Sequence, residues 1–373
     1  MTRWCIIGPT YPFRGGIAHY TTLLAEEVRR EHELLFISFR RQYPGWLYSG
    51  RSDQDPSQQV LRTPAEYLLD PLNPLTWHKA MQRISDFRPE VVVLPWWVPF
   101  WAPTWSYLGW RIKRLPGRPK LIFICHNVLP HERNLLDVMA IRVTLARGDG
   151  FIVHAQSDAK QLLAQFPQAR VKVSPHPTYA ALSEHAAGDM PVELPFDRPL
   201  LLFCGFVRPY KGLDVLLEAM SLVLGRRAIH LLVAGEFWKG SDGFHRQIER
   251  LNIGEAVTLI DNYLPNEALA ACIARSDVVV LPYRQATQSG IIQLAFGLGT
   301  PVITTNVGGL ADVVEDGQTG FIVPPEDPGA LAAAIIKFFD DDLGPRFQKQ
   351  IEEEKQRFSW NLLLQAIEEL VES

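Results

Sequence analysis

The sequence predicts two successive doubly wound α/β domains, each a parallel sheet with helices on both faces. Three observations predict this class. The chain has 373 residues, more than the ~250–300 at which a single hydrophobic core stops growing. Two series of short, β-branched apolar runs alternate with amphipathic stretches long enough for crossover helices. Between the two series, residues 175–199 are rich in proline, alanine and acidic side chains and have no hydrophobic period.

In the first half the predicted strands fall near 4–8, 34–38, 91–94, 121–125, 150–153 and 171–174. The second half repeats the pattern near 200–204, 230–234, 257–260, 278–281, 301–304 and 320–323. Each run has the length of a buried parallel strand, and two separate βαβ series mean two sheets. The expected organisation is a first domain over 1–178, a linker over 179–198 and a second domain over 199–357. A C-terminal helix over 358–373 is expected to pack back on the first domain.

Composition narrows the function. With 47% hydrophobic and 21% charged residues the chain is neither disordered nor fibrous. No run approaches the ~18 apolar residues of a spanning helix, and residues 1–9 are too short an apolar stretch for a signal peptide. Cys5, Cys125, Cys204 and Cys272 stand far apart, which argues against zinc or disulfides and fits a reducing cytoplasm. The net charge of −4 divides unevenly: residues 1–190 hold 22 Lys+Arg against 16 Asp+Glu, and 191–373 hold 15 against 25. The basic first half suits an anionic substrate or an acidic lipid surface, and nothing points to nucleic acid.

Three loops carry the candidate chemistry, each between a predicted strand and a helix. The first contains Gly15 and Gly16 ahead of a helix whose Ile17, Tyr20, Leu24 and Val28 share one face. The glycines admit a close ligand, and the helix N-terminus offers N–H groups to an anion. The spacing fits neither Gly-x-Gly-x-x-Gly nor Walker A. The second loop places Arg208 and Lys211 in an exposed turn just past a strand end, where two cations suit a diphosphate. The third runs from Leu281 through Gln285 to Gln293, with Ser289 as N-cap and the amides of Ser289, Gly290 and Ile291 aimed at a phosphate. A solvated turn and a plain cap are the structural alternatives for the second and third loops.

Several ordered motifs together resemble the nucleotide-sugar glycosyltransferases of family 4. They are Gly-Phe-Val-Arg-Pro-Tyr-Lys-Gly-Leu-Asp at 205–214, Ser-Asp-Val-Val-Val-Leu-Pro-Tyr at 276–283, Gly-Thr-Pro-Val-Ile-Thr-Thr-Asn-Val-Gly-Gly-Leu at 299–310 and Asp-Gly-Gln-Thr-Gly-Phe-Ile-Val-Pro-Pro at 316–325. The Gly15-Gly16 loop and Cys-His-Asn-Val-Leu-Pro-His-Glu at 125–132 are similar to the family's acceptor-domain motifs. The resemblance implies a GT-B fold, two facing Rossmann-like domains, and retaining transfer from a nucleoside-diphosphate sugar without a metal. The acceptor it implies is a glycan, a lipid-linked sugar or a small molecule, as in polysaccharide biosynthesis. Arg208 and Lys211 then match the diphosphate-binding cations, His126 a histidine near the transferred sugar, and Tyr263 the residue covering the base.

The chain departs from that pattern in the third loop. The family's pair of glutamates, eight positions apart, is missing, and no carboxylate lies between Leu281 and Thr305. Gln285 and Gln293 have the same offset; the first can still hydrogen-bond sugar hydroxyls and the second stands for the ribose ligand. Phe206 occupies the place of the family's first arginine. Two rival readings follow: a sugar-nucleotide-binding subunit without activity, and a nucleotide-sugar 2-epimerase of the same fold.

The segment around Trp96, Trp97, Trp101 and Trp105 is interrupted by Pro95, Pro99 and Pro103, so a helix is expected to start at Thr104. With Arg111, Lys113 and Arg114 beside the aromatics, the sequence suggests an interface with anionic membrane on its cytoplasmic face or with the acceptor. Packing within the first domain is the alternative. Asp53-Gln54-Asp55 is read as a solvated turn, and His154 and His176 as structural histidines.

Overall fold

The computed structural model describes residues 1–48, 50–58, 60–128, 135–185, 188–194 and 198–372. Two compact units result. The first comprises Met1–Asp55, Val60–Pro175 and Trp360–Ser373; the second comprises Pro56–Gln59 and His176–Ser359.

The first unit holds β1 (Arg3–Ile7), α1 (Gly16–Glu31), β2 (Glu33–Phe39), β3 (Glu66–Leu69), α2 (Pro74–Phe87) and β4 (Val91–Trp96). It continues through α3 (Ala102–Ile112), β5 (Lys120–Cys125), α4 (Leu135–Leu145), β6 (Gly150–Val153), α5 (Gln156–Gln165) and β7 (Val171–Val173). Its seven strands run in the order β3-β2-β1-β4-β5-β6-β7, and neighbouring strands pair in parallel. Strand alternation splits the core into two layers. Cys5, Ile7, Val92, Leu94, Leu121 and Phe123 face one side of the sheet, while Trp4, Ile6, Val91, Val93, Ile122 and Ile124 face the other. The second layer is covered by Tyr20, Leu24 and Val28 of α1 and by Leu363, Leu364, Ile367 and Leu370 of a C-terminal helix, Trp360–Glu372. Strand β3 is an edge strand that the sequence reading omitted; its Glu-Tyr-Leu-Leu lacks β-branched residues.

The second unit holds β8 (Leu200–Cys204), α6 (Leu213–Leu224), β9 (His230–Ala234), α7 (Asp242–Leu251), β10 (Val257–Ile260), α8 (Asn266–Arg275) and β11 (Val278–Leu281). There follow α9 (Gly290–Gly297), β12 (Val302–Thr305), β13 (Gly320–Val323), α10 (Pro328–Asp340) and α11 (Gly344–Glu354); the C-terminal helix of the first unit is α12. The six strands run β10-β9-β8-β11-β12-β13, all parallel. The unit starts at His176, not at residue 199. Tyr179 and Leu182 are buried, and Ala180–His185 forms a 3-10 turn packed on α8 and α9, so the first part of the expected linker, 179–185, belongs to the second unit. Ser57 belongs here too: its Oγ accepts from the Asn266 N–H at 2.8 Å, supplying the cap that Pro265 cannot give α8.

In both sheets the strand order reverses once, between β1 and β4 and between β8 and β11. Ligands of open parallel sheets bind beyond the carboxyl ends of the strands at such reversals.

Candidate functional site

The reversal in the second unit gathers the residues of two predicted loops. After β8 the chain passes Gly205 and Arg208 into a 3-10 turn, Pro209–Lys211. Gly212 ends the turn in the left-handed region, φ 68°, and a Cβ there would sit 2.1 Å from the Pro282 carbonyl oxygen. Only glycine meets both demands. The turn is thereby pressed against the end of β11.

Lys211 is buried, 8% exposed, which corrects the expectation of an exposed turn residue. Its ammonium lies 3.1 Å from the position a Cβ on Gly205 would take and 5.2 Å from the Tyr283 ring centre. Ile291, in the first turn of α9, borders the same point at 3.6 Å. Among the described residues no carboxylate pairs with Lys211. Burial pushes its ammonium below the usual lysine value, and nearby Arg208 adds to the same shift.

Arg208 stacks on Trp238, with its guanidinium carbon 3.2 Å from the ring centre. Phe206 lies 5.8 Å from Trp238 and 5.7 Å from Tyr263, centre to centre. The Trp238 N–H donates to the Val207 carbonyl at 3.3 Å, and the Phe237 N–H donates to the Asp261 carboxylate at 3.1 Å. The ends of β8, β9 and β10 thus carry a half-buried aromatic cluster that includes Tyr263 and adjoins Arg208. Trp238 was not singled out in the sequence; its signal was an aromatic two residues beyond Gly235-Glu236 at a strand end.

The third loop is arranged differently from expectation. Ser289 occupies the N-cap position of α9 but its side chain makes no cap bond; it hydrogen-bonds the Tyr283 side chain instead. Gly290 and Ile291 open the helix, whose N-terminal dipole end lies toward Lys211 and Gly205 through Ile291. Gln285 is exposed while Gln293 is 1% exposed inside α9, so the two glutamines do not face one ligand-accessible surface together. Arg284, to which the sequence reading gave no role, joins the turn, Asp214 and Glu326.

In the first unit, Gly15 is the N-cap of α1 at φ 103°, and Gly16 begins the helix. His126 follows β5; its N–H donates to the Trp96 carbonyl at 2.8 Å and its ring stands edge-on to Tyr20, 4.6 Å between centres. The rest of its motif, 129–132, lies outside the described residues. Asp55 is not a solvated turn residue: its carboxylate approaches His19 at 3.6 Å with 4% side-chain exposure.

The tryptophan segment is core. Trp96, Trp97, Trp101 and Trp105 are all buried, and Trp101 packs 5.3 Å from Trp105 and 4.4 Å from Phe39. The Trp97 indole N–H donates to the Tyr43 hydroxyl at 2.7 Å. These rings are therefore part of the first unit's core and not an exposed surface. The physical reason is that α3 begins at Ala102, two residues earlier than expected, because Pro103 fits the first turn, where no N–H is required. Trp101 and Trp105 share one core layer with Val92, Leu94 and Phe123 of the sheet. Of the expected basic surface, Lys113 pairs with Asp149 at 2.6 Å, Arg114 stacks over Trp110, and Arg111 is half-buried. Among the described residues no helix is long and apolar enough to cross a membrane.

Residues 14–178 match the family described as Glycosyltransferase Family 4, and residues 198–341 match Glycosyl transferases group 1. The chain belongs to the family 4 glycosyltransferases. One relative, D-inositol 3-phosphate glycosyltransferase of Streptomyces avermitilis, is 26% identical over 313 residues, covering 76% of this chain and 66% of its own. The enzyme of the same name from Streptomyces coelicolor is 31% identical over 206 residues, 52% of this chain and 44% of its own. The chain thus spans about half to two thirds of the length of the curated relatives it matches. Among solved structures, HepE of Anabaena in complex with UDP superposes with a TM-score of 0.73 at 16% identity, over 100% of both chains. Sucrose-phosphate synthase of Thermosynechococcus elongatus gives 0.71 at 21% identity, over 98% of this chain and 97% of its own. The family 4 chain has the GT-B fold.

Proposed function

We propose that this chain is a retaining glycosyltransferase that takes its sugar from a uridine-diphosphate sugar and needs no metal. The observation that carries the reading is Lys211: a buried ammonium next to Arg208, without a carboxylate partner among the described residues, at the strand-order reversal. A buried cation without a counter-charge is a vacancy for an anion. The diphosphate of the donor supplies that charge, and more of it as the glycosidic bond breaks. Fixed cations and the α9 dipole favour the departing diphosphate over the intact donor, which is what lowers a barrier. A loose, oxocarbenium-like transition state needs this help more than it needs a strong base. His126 is the group assigned to the transferred sugar, and Tyr263 with Phe206 and Trp238 to the base.

The choice of uridine is supported by structural neighbours bound to UDP and UDP-glucose. The acceptor class stays broad: a glycan, a lipid-linked sugar or a small molecule, the curated relatives being named for an inositol phosphate. The absence of a carboxylate between Leu281 and Thr305 favours one second reading, a binding subunit without turnover, and speaks against a 2-epimerase, which needs a proton acceptor.

UDP release from a panel of UDP-sugars, with and without a chelator, tests the proposal. Steady release that persists in chelator is expected. Tight UDP binding with no release from any donor and acceptor pair would establish the second reading. Activity abolished by chelator and restored by Mg or Mn would show that the cations do not suffice.

A further inference from the structure

We infer that Arg284 is a positioning residue that holds the Lys211 turn against the end of β11, and so sets where the donor diphosphate is gripped. This rests on the reading of Lys211 as a diphosphate ligand. The observations are geometric. The Arg284 backbone N–H donates to the Tyr210 carbonyl at 2.7 Å. Its guanidinium donates to the Pro209 carbonyl at 2.7 Å and to both carboxylate oxygens of Asp214, at 2.8 and 2.7 Å. A further bond reaches Glu326 at 3.0 Å.

One side chain therefore clasps both ends of the segment carrying Lys211. Pro209 lies before it and Asp214, in the first turn of α6, lies after it. The 3-10 turn between them is closed on itself by Lys211 N–H to Arg208 O at 2.9 Å and Gly212 N–H to Pro209 O at 3.3 Å. On its other side Gly212 already abuts Pro282. The turn sits in a vice of which Arg284 is the polar jaw.

The arginine is suited to this and lysine is not. A planar fork satisfies a carboxylate with two parallel bonds while its remaining donors reach a carbonyl and a second carboxylate. Hydrogen bonding to Asp214 pushes the Arg284 guanidinium above its usual value. Burial raises the Asp214 carboxyl, yet the Arg284 bonds outweigh it and hold it below its usual value. Because the cluster is 28% to 67% exposed at its side chains, its worth to global stability is small. Its consequence is local: without it, Lys211 loses its fixed height above Gly205.

The test is a double-mutant cycle on UDP affinity, read by calorimetry, with Arg284→Ala, Lys211→Ala and the pair. Arg284→Ala should weaken UDP roughly tenfold, as loss of a charged contact does, and lower turnover by as much as roughly a hundredfold. In the Lys211→Ala background it should add almost nothing, because the group it positions is gone. Full additivity of the two losses would mean that Arg284 acts independently of Lys211, and would overturn the inference. Arg284→Lys keeps a cation beside Asp214 but not the clasp, so complete recovery of UDP affinity in that variant would also overturn it. Should Arg284→Ala not fold, Asp214→Asn, which removes one arm, enters the same cycle with the same expectation. Amide exchange gives a readout without ligand: residues 208–212 should exchange faster in Arg284→Ala while β8 keeps its protection, and unchanged exchange there would refute the clasp. If Lys211→Ala itself leaves UDP affinity unaltered while exchange responds as expected, the clasp stands and it is the diphosphate reading that fails.

Discussion

Lys211 is a residue whose burial opposes its charge, and that conflict makes a sharp expectation. Lys211→Met keeps the apolar stem and discards the unpaired ammonium. The unliganded protein should melt at or above the parental midpoint, since a desolvated charge has been removed. The rise in midpoint caused by UDP should vanish, and turnover should fall by ~10²–10³, equivalent to ~2.7–4 kcal/mol. A variant that melts lower and still responds to UDP would show Lys211 to be structural. His176 carries a pH expectation. Burial pushes its imidazole down to about 4, against a smaller upward effect of its bond to the Pro177 carbonyl at 2.8 Å. The native state thus holds it neutral while the unfolded chain takes a proton near the ordinary value of ~6.5. Its contribution is complete above that value and declines as pH falls toward 4, by about 3 kcal/mol in all. Urea midpoints between pH 4 and 7 should slope more steeply for the parent than for His176→Gln. At this scale the sequence showed which residue types mattered but not their surroundings. Arg208, Lys211 and Tyr263 stood in recognisable motifs. Arg284 was invisible because its partners, Pro209, Asp214 and Glu326, are far away along the chain and meet only when β8 and β11 pair.

Among the elements, strands were the most legible. Their apolar runs are continuous because both faces of each sheet are covered, so a run signals a strand without any alternation to decode. Strand β3 escaped because an edge strand with Glu66 and Tyr67 has no such run. The tryptophan segment left two readings open, an interface suggested by the neighbouring basic residues and packing within the first domain; the buried rings decide for packing, with Pro99 and Pro103 in first turns. Trp101→Ala should therefore lower stability by ~3–5 kcal/mol, the range for emptying an aromatic site in a packed core. Denaturant titration of the full chain would check it. A loss under about 1 kcal/mol would reopen the surface reading, since exposed sites tolerate substitution. Gly212→Ala belongs here as well. Its Cβ would strike the Pro282 oxygen, so the turn must lift away from β11, and UDP affinity should fall as far as it does in Arg284→Ala.

For the molecule as a whole, the two sheets were readable from the count of βαβ units, but the assignment of segments to units was not. Contacts such as Ser57 with Asn266, or Tyr179 beneath Gly290, join residues too distant in sequence for composition to register. The return of α12 has the largest consequence. Its Leu363, Leu364, Ile367 and Leu370 close the layer that also contains Trp4, Ile6 and Ile122. Truncation before Trp360 should expose that layer and drive the first unit to aggregate, with the loss concentrated in β1, β5 and β6 rather than in β8 to β13; limited proteolysis would map it. During translation, domains usually complete themselves in order from the N-terminus. Here the unit begun first must remain unfinished on the ribosome until the second has been made, holding an apolar flank that chaperones can bind. The residues that release it from that state are encoded only after the whole stretch His176–Ser359 of the second unit.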